Sequence, residues 1–423
     1  MNPTFTATVT AGTRRWHSSY LTTIKENTLV AARDWGQFIT GSGQIDIQVN
    51  LVSSSSYLLS DAHRSLATGS ASYTEYTVAN FEGRSKFMVH EGPYIEIMTG
   101  YDPNGAAPDI IIYIDEDKLY QNYYLTSWFD SNPYDQTHIV PTERYDGLAV
   151  LTHEIGHALG FNGYRGMYGL FGDLFGDFFS RFDENVIISG DNAYFVGPTA
   201  QSVYGAAVPL TSERLIISER IYHFGNFSNG GAVPPTVATA VEYMYNEGMM
   251  TPIFFRGTSS DVSNLDLAIL KDIGYNVSFD DNIFRFFNRS TGTHFYTANI
   301  DEKNFVKTYL ANFNYEGVAF QTEATAQTGH AVYRFYNTNM DSHFYTISDY
   351  ERDFVRQNLS NYQYEGQVFY AYDNNSSGDH EALYRFFNTA TGTHFYTASV
   401  VERDSVVANL PSFQYEGIGF YIE

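Results

Sequence analysis

The chain has 423 residues, with 24 Lys plus Arg against 48 Asp plus Glu, and its formal net charge is −24. Such an acidic chain repels phosphate backbones and anionic membranes, so we expect no nucleic-acid partner. Only 17% of the residues are charged, whereas 43% are hydrophobic, which excludes disorder and indicates about three domain-equivalents of folded chain. Cysteine is absent, which excludes disulfide frameworks and thiolate metal sites.

No apolar run approaches the roughly 18 residues that a membrane-spanning helix needs, so we expect no membrane span. Residues 1–16 contain no apolar segment of the signal-peptide kind. A form trimmed of an export signal would look the same, so secretion stays open on this evidence.

The first two thirds of the chain alternate between helical and strand-like patterns. Apolar spacing predicts helices over residues 19–39, 146–160 and 264–273, and strands over Gln44–Val52 and 109–114. Residues 163–227 are rich in loops, with only short strand-like pieces, and their length suggests a functional insertion. We place a domain boundary near residue 280, which gives domains of 1–280 and 281–423.

The predicted helix at 146–160 carries the motif His153-Glu154-Ile155-Gly156-His157. With 12 histidines in the chain, random order would produce this pattern on the order of 0.02 times per chain. His153 and His157 lie one helical turn apart, so both imidazoles can reach one metal ion. Glu154 projects beside them, where it can accept a proton from water and later donate one to a leaving amine. The competing interpretation is a surface helix that carries two histidines by chance.

Catalytic zinc usually has three protein ligands and a water, so the motif lacks one ligand. Downstream of the helix and within the same domain, His223 is the one remaining histidine. It is followed by Met249-Met250-Thr251-Pro252. His223 is therefore the predicted third ligand, with His138, Asp173 or Asp177 as the alternatives.

The segment HEIGHALGF, followed by a later His and a Met-x-Pro turn, resembles the metzincin clan of zinc endopeptidases. The resemblance implies a five-stranded sheet, an active-site helix and a methionine turn beneath the metal. It assigns zinc to His153 and His157, the general base to Glu154, the helix-ending glycine to Gly160 and the turn methionine to Met250.

The position of the third histidine departs from the usual metzincin pattern. The usual third His of metzincins falls on Gly163 here, whereas leishmanolysin-like members have a long insertion before theirs. The 66 positions from His157 to His223 resemble that arrangement. Residues 195–210 and 265–275 are also similar to bacterial leishmanolysin-like or matrixin-like secreted proteases, which implies a secreted, extracellular and bacterial protein.

The last third of the chain consists of three copies of one unit, near residues 283–325, 332–373 and 383–423. IFRFFNRSTGTHFYT is followed by VYRFYNTNMDSHFYT and LYRFFNTATGTHFYT, and each copy continues to a Tyr-Glu-Gly segment. Each copy predicts a hairpin, a helix that begins with a capping box, and a closing strand. Because three copies are too few for a usual propeller, we predict a closed β-trefoil-like barrel. The copies resemble a bacterial trefoil-like repeat family of unsettled function.

Repeated polar residues in this last third have two interpretations. His294, His343 and His394 either meet at a metal on the threefold axis or each hold their own hairpin by a hydrogen bond, and we favour the second. We also predict one repeated ion pair per unit, formed by Arg285, Arg334 and Arg385 with Glu316, Glu365 and Glu416.

The acidic residues of the loop-rich segment have two interpretations as well. They are either calcium ligands or solvated loop charges: Asp173, Asp177, Asp183, Glu184 and Asp191.

Together these patterns predict an α+β protein, a metzincin-like catalytic domain with a mixed sheet and an active-site helix, followed by a β-trefoil-like domain. The expected function is a secreted zinc endopeptidase, a monomer that acts on protein or glycoprotein and binds carbohydrate through its repeats. The alternatives are an adhesin or glycan-binding protein with a weakly active or inactive protease-like domain, and a zinc hydrolase of non-peptide substrates.

Overall fold

The computed structural model describes residues 2–54, 67–121, 124–125, 127–134, 140–163, 178–189, 192–210, 249–250, 256, 259–278, 282–322 and 324–423. The chain divides into two compact units, Met1–Val277 and Ser278–Glu423. Both combine helices and strands, so the protein is of the mixed α+β class. None of the helices described is both long enough and apolar enough to cross a membrane.

The elements of the first unit are, in chain order, β1 (Thr4–Thr10), α1 (Ser18–Gly36), β2 (Gln44–Val52), β3 (Ala67–Ala71), β4 (Thr74–Phe81), β5 (Arg84–Glu91), α2 (Gly92–Thr99), β6 (Ile110–Asp115), α3 (Glu116–Leu119), β7 (Tyr120–Gln121), β8 (Tyr124–Leu125), β9 (Ser127–Trp128), β10 (Tyr145–Asp146), α4 (Gly147–Ala158), β11 (Phe178–Ser180), α5 (Arg181–Glu184), β12 (Val186–Ser189), β13 (Asn192–Phe195), α6 (Pro198–Tyr204), β14 (Val208–Leu210) and α7 (Asn264–Asp272).

The largest sheet of the first unit has the strand order β1-β2-β6-β3 among the described residues. β1, β2 and β6 are parallel, whereas β3 pairs antiparallel with β6 at the edge of the sheet. Alternate residues of β2 are buried, as the period of two in its sequence predicts. The resemblance implied five strands in this sheet, and the described residues contribute four.

Helices α1 and α4 pack against each other beside this sheet. The buried face of α1 includes Ile24, Ala32 and Trp35, which are fully shielded from solvent. The indole Nε1 of Trp35 donates a hydrogen bond to the carbonyl oxygen of Thr152 at 2.8 Å. This contact fixes α1 against the helix that carries the histidine motif.

The elements of the second unit are β15 (Asn282–Asn288), β16 (Thr293–Thr297), α8 (Ile300–Tyr309), β17 (Phe313–Gln321), β18 (His330–Asn337), β19 (Ser342–Thr346), α9 (Asp349–Asn358), β20 (Tyr362–Ala371), β21 (Glu381–Asn388), β22 (Thr393–Thr397), α10 (Val400–Asn409) and β23 (Phe413–Ile422).

Each repeat of the second unit forms its own three-stranded antiparallel sheet, and its helix follows the hairpin as predicted. The pairing gives three sheets, in the orders β16-β15-β17, β19-β18-β20 and β22-β21-β23, and the closed β-trefoil-like barrel stays a prediction.

Three tyrosines join these sheets at their shared core. The hydroxyl of Tyr296 donates to the carbonyl of Tyr396, that of Tyr396 to Tyr345, and that of Tyr345 to Tyr296, at 2.6 to 2.7 Å. This closed ring of hydrogen bonds satisfies each buried hydroxyl and links all three repeats.

Candidate metal centre

Helix α4 presents the His-Glu-x-x-His motif from a fully buried position. Its N-cap is Asp146, whose Oδ1 accepts the backbone N–H of Leu148 at 2.9 Å. All 12 residues of the helix are buried, and the side chains of His153 and His157 are only 5% and 7% exposed. The face of the helix that carries the histidines is therefore buried along with its apolar face.

The two histidines are held in one tautomer by backbone carbonyl groups. His153 Nδ1 lies 3.0 Å from the carbonyl oxygen of Met249, and His157 Nδ1 lies 2.9 Å from that of Phe161. A carbonyl oxygen only accepts hydrogen bonds, so each Nδ1 carries the proton and each Nε2 carries a lone pair. Burial also lowers the pKa of His153 to about 4, which keeps this imidazole neutral.

The two Nε2 atoms converge, at a separation of 3.1 Å. Tetrahedral zinc with Zn–N bonds of about 2.0 to 2.1 Å holds two ligand nitrogens about 3.3 Å apart. Two neutral imidazoles whose lone pairs meet at this distance repel each other, whereas a cation between them would attract both. The donor set and its spacing therefore fit zinc.

Glu154, which follows His153 in the motif, contacts the edge strand β3. Its side chain is buried, and burial raises its pKa to about 8, against the opposing hydrogen bond from the Gly69 backbone. Gly69 lies so close to the backbone of Glu154 that a β-carbon at residue 69 would overlap it. Glycine at this position allows β3 to approach the motif.

Met250 lies directly beneath the helix. Its side chain is fully buried, and a β-carbon added to Gly156 would lie 2.5 Å from Met250 Sδ and 3.0 Å from Trp35 Cζ2. The helix can pack closely against the methionine because residue 156, directly before His157, is glycine.

Asp266, in the first turn of α7, holds the Met249–Met250 segment in place. Its carboxylate accepts the backbone N–H groups of Met249 at 2.7 Å and Met250 at 3.2 Å. It also forms a capping box with Ser263. Burial raises the pKa of Asp266 to about 6, against these hydrogen bonds. The sequence analysis missed this residue, although the Ser-x-x-Asp spacing before an apolar run is the usual signal of such a cap.

The predicted third ligand, His223, lies outside the described residues, as do its alternatives His138, Asp173 and Asp177. Gly163 is described and buried, and Gly160 follows the helix with a φ of 119°.

Of the predicted calcium ligands, Asp183 is buried and forms a capping box with Ser180 at the start of α5, whereas Glu184 is exposed. Asp173, Asp177 and Asp191 lie outside the described residues.

The repeated polar residues of the second unit form ion pairs. Each arginine contacts the glutamate of its own repeat at 2.6 to 2.9 Å, which confirms the predicted pairs Arg285–Glu316, Arg334–Glu365 and Arg385–Glu416. Each also reaches the capping-position glutamate of another repeat at 2.8 to 3.1 Å: Arg285 to Glu402, Arg334 to Glu302 and Arg385 to Glu351. These glutamates therefore link repeats instead of completing capping boxes.

The three repeated histidines lie against the glutamates of their own repeats, at 3.4 to 3.5 Å. This favours the structural interpretation over a shared metal. Within the described residues, the one group found with the spacing of metal ligands does not include these histidines.

A family model described as a domain of unknown function (DUF5648) matches residues 282–423. The match spans all three repeats of the second unit. Comparison of the chain with curated proteins and with solved structures finds no match. The family's description assigns no activity, so the function of the first unit must be argued from its own residues.

Proposed function

We propose that this protein is a secreted zinc-dependent endopeptidase of the metzincin type. The observation that carries the proposal is the convergence of the Nε2 atoms of two buried, carbonyl-tethered imidazoles at 3.1 Å, on the helix that also carries Glu154. Met250 beneath the helix and the His-Glu-x-x-His pattern support the same assignment.

His153 and His157 would hold zinc, with His223 as the proposed third ligand. Zinc, when bound, supplies a Lewis acid that activates water and polarises a carbonyl group. The carboxylate of Glu154 then exchanges the proton: it accepts one from water as a base and donates it to the leaving nitrogen as an acid. A nearby cation favours the ionised carboxylate, which offsets the rise in pKa that burial causes.

The edge strand β3 favours a peptide as the substrate. Gly69 of this strand contacts Glu154, and β3 ends its sheet among the described residues. Edge strands bind extended peptides through main-chain hydrogen bonds. An internal stretch of polypeptide aligned in this way would lie beside the general base.

The deciding experiment compares the wild-type chain with Glu154→Gln, both loaded with zinc. The wild type should cut unfolded casein at internal bonds, as mass spectrometry of the products would reveal. Glu154→Gln should retain zinc and lose cleavage, because it cannot accept the proton. Equal cleavage by both proteins would remove Glu154 from the mechanism. Zinc binding without any cleavage by the wild type would favour an inactive protease-like domain or a non-peptide hydrolase.

The second unit offers a specific site for the carbohydrate-binding function that we propose for it. A cavity of about 150 Å³ lies between the first and third repeats, and its lining includes Phe395, Phe413, His294 and Glu402. Aromatic faces with a few polar groups suit a single sugar ring. Residues 278–423 should therefore bind on a glycan array. Absence of binding across the array would reject this role.

A further inference from the structure

Three carboxylates meet at one end of the central sheet of the first unit, apart from the histidine motif. Glu96 lies in α2, Asp102 in the loop that follows, and Asp109 directly before β6. One oxygen of each lies within 4.8 Å of the others. Glu96 and Asp109 are only 4% and 2% exposed, whereas Asp102 is exposed to solvent.

Each of the two buried carboxylates accepts a backbone hydrogen bond through one of its oxygens. Glu96 Oε1 accepts the backbone N–H of Gln44 at 2.8 Å, and Asp109 Oδ2 accepts that of Asp46 at 2.7 Å. The second oxygen of Glu96, Oε2, is buried without a hydrogen-bond partner. The second oxygen of Asp109 is buried beside the side chain of Asn104, whose hydrogen bond lowers the pKa of Asp109. A buried oxygen without a hydrogen-bond partner is costly, and a bound ion is a recognised explanation for one.

Neighbouring negative charges make the ionised form of these buried carboxylates still less favourable. Those that act on Glu96 come from Asp109, Asp102 and Asp46, and all have the same sign. Burial raises the pKa of both Glu96 and Asp109, and the neighbouring carboxylates add to the rise. Asn104, in the same loop, has a further buried oxygen, Oδ1, without a partner.

We propose that Glu96, Asp102 and Asp109 bind one calcium ion. The donors are all carboxylate oxygens, which suit a hard cation and exclude a copper-type or zinc-type site with nitrogen or sulfur ligands. Calcium binds oxygens at about 2.3 to 2.6 Å, so ligands of one ion lie at most about 5 Å apart, in agreement with the observed spacing. The exposed Asp102 leaves the ion a route to solvent, and water would complete its coordination.

The ion would have a structural role. It would join α2, the loop at Asp102 and the start of β6, while the same carboxylates bind the backbone at the start of β2. These segments meet where the central strands begin. Calcium would thus stabilise the sheet that supports α4 without touching the histidine motif.

The test is a calorimetric titration of calcium into the full chain carrying Glu154→Gln, with zinc held at saturation. We expect one saturable binding event and a melting temperature that rises with calcium concentration. Asp102→Asn should weaken binding about tenfold or more, since it removes one ligand charge. The side chain is exposed and asparagine retains Oδ1, so this variant should fold. Glu96→Gln should abolish binding.

The matched control is Glu75→Gln, which removes an exposed carboxylate from β4 of the same unit. It should bind calcium as the parent does. The proposal fails if calcium does not bind, if Asp102→Asn binds as tightly as the parent, or if magnesium binds and calcium does not. Because the parent is already inactive and loaded with zinc, none of these outcomes depends on the proposed peptidase activity.

Discussion

Asp266 is linked to His153 through the backbone of Met249. Its carboxylate holds the N–H of Met249, and the carbonyl of Met249 in turn accepts the Nδ1 proton of His153. Partners of this kind fix the tautomer and orientation of a metal-binding histidine, and their loss typically costs 10- to 100-fold in affinity.

Asp266→Asn should therefore weaken zinc binding by about 10- to 100-fold. The NH2 group of asparagine cannot accept a hydrogen bond, so the variant loses one of the two bonds from the backbone N–H groups of Met249 and Met250. Zinc affinity is measured by competition with a chromophoric chelator. Ser263→Ala is the control: it removes a helix cap, which costs about 1 kcal/mol of stability, and leaves the bond to Met249 intact. A lower melting temperature with unchanged zinc affinity in Asp266→Asn would make Asp266 a purely structural residue.

Gly156→Ala tests the contact between the helix and Met250. Alanine gains up to about 1 kcal/mol of helix propensity over glycine. Its β-carbon would lie 2.5 Å from Met250 Sδ and 3.0 Å from the rigid indole of Trp35, and such overpacking costs about 1 to 3 kcal/mol. The expected net effect is destabilisation with weaker zinc binding, measured by thermal unfolding and metal competition. A more stable variant with intact zinc affinity would show that the close packing of Met250 and Trp35 does not require glycine at residue 156.

At this scale the sequence predicts the motif residues, since a five-residue spacing on a helix fixes their face. Asp266 could not be derived in the same way. Its role depends on a tertiary contact with a segment 16 to 17 positions away along the chain. The same holds for Glu96 and Asp109, which only the parallel pairing of β2 and β6 brings together.

The secondary-structure elements follow their local patterns closely. The alternating segment Gln44–Val52 forms β2 within its predicted bounds, and α4 begins directly after its capping residue, Asp146. The predicted hairpins also form in all three repeats. The closed barrel stays a prediction, because it depends on contacts between repeats that no local pattern specifies. The ring of tyrosines links the three repeats, and Tyr372 and Tyr421 of the second and third repeats also pair through two backbone hydrogen bonds.

His343, in the middle repeat, makes the second unit sensitive to acid. Burial and the nearby Arg334 lower its pKa from 6.5 to about 3. Below pH 6.5 the unfolded chain binds a proton at His343 that the folded protein does not bind. The free energy of unfolding is therefore highest above pH 6.5 and falls as the pH drops toward 3.

Thermal unfolding of residues 278–423 at several pH values measures this effect. We expect the melting temperature to fall between pH 6.5 and about 5.5, a window in which glutamate side chains of ordinary pKa are still mostly ionised. His343→Gln should flatten the dependence, whereas His330→Gln, at an exposed histidine, should leave it unchanged. Parallel curves for the wild type and His343→Gln would contradict the assignment.

The whole molecule contains two compact units, and only the first contains the histidine motif. The second has its own shared core, built from equivalent residues of the three repeats that include Ile283, Val332 and Leu383. The sequence reveals this repetition directly because the three copies match at constant spacing. Its function cannot be read in the same way, since the repeated charges are used in ion pairs that hold the fold.

Residues 278–423 should fold alone and without metal. The expected result is one cooperative unfolding transition that EDTA leaves unchanged, followed by circular dichroism. The full chain, as the control, should also show a second transition that EDTA shifts to lower temperature, because the proposed zinc and calcium ions would stabilise the first unit. Loss of the fragment's transition on chelation would show that the repeats need a metal after all.

The most direct measurement of the central claim is zinc K-edge X-ray absorption of the zinc-loaded full chain carrying Glu154→Gln. We predict one zinc per chain with at least two imidazole nitrogens at about 2.0 to 2.1 Å from the metal. His153→Ala should lose this spectrum. A zinc shell made of oxygen alone, or one that His153→Ala leaves unchanged, would contradict a metal centre at the His-Glu-x-x-His motif and the peptidase proposal built on it.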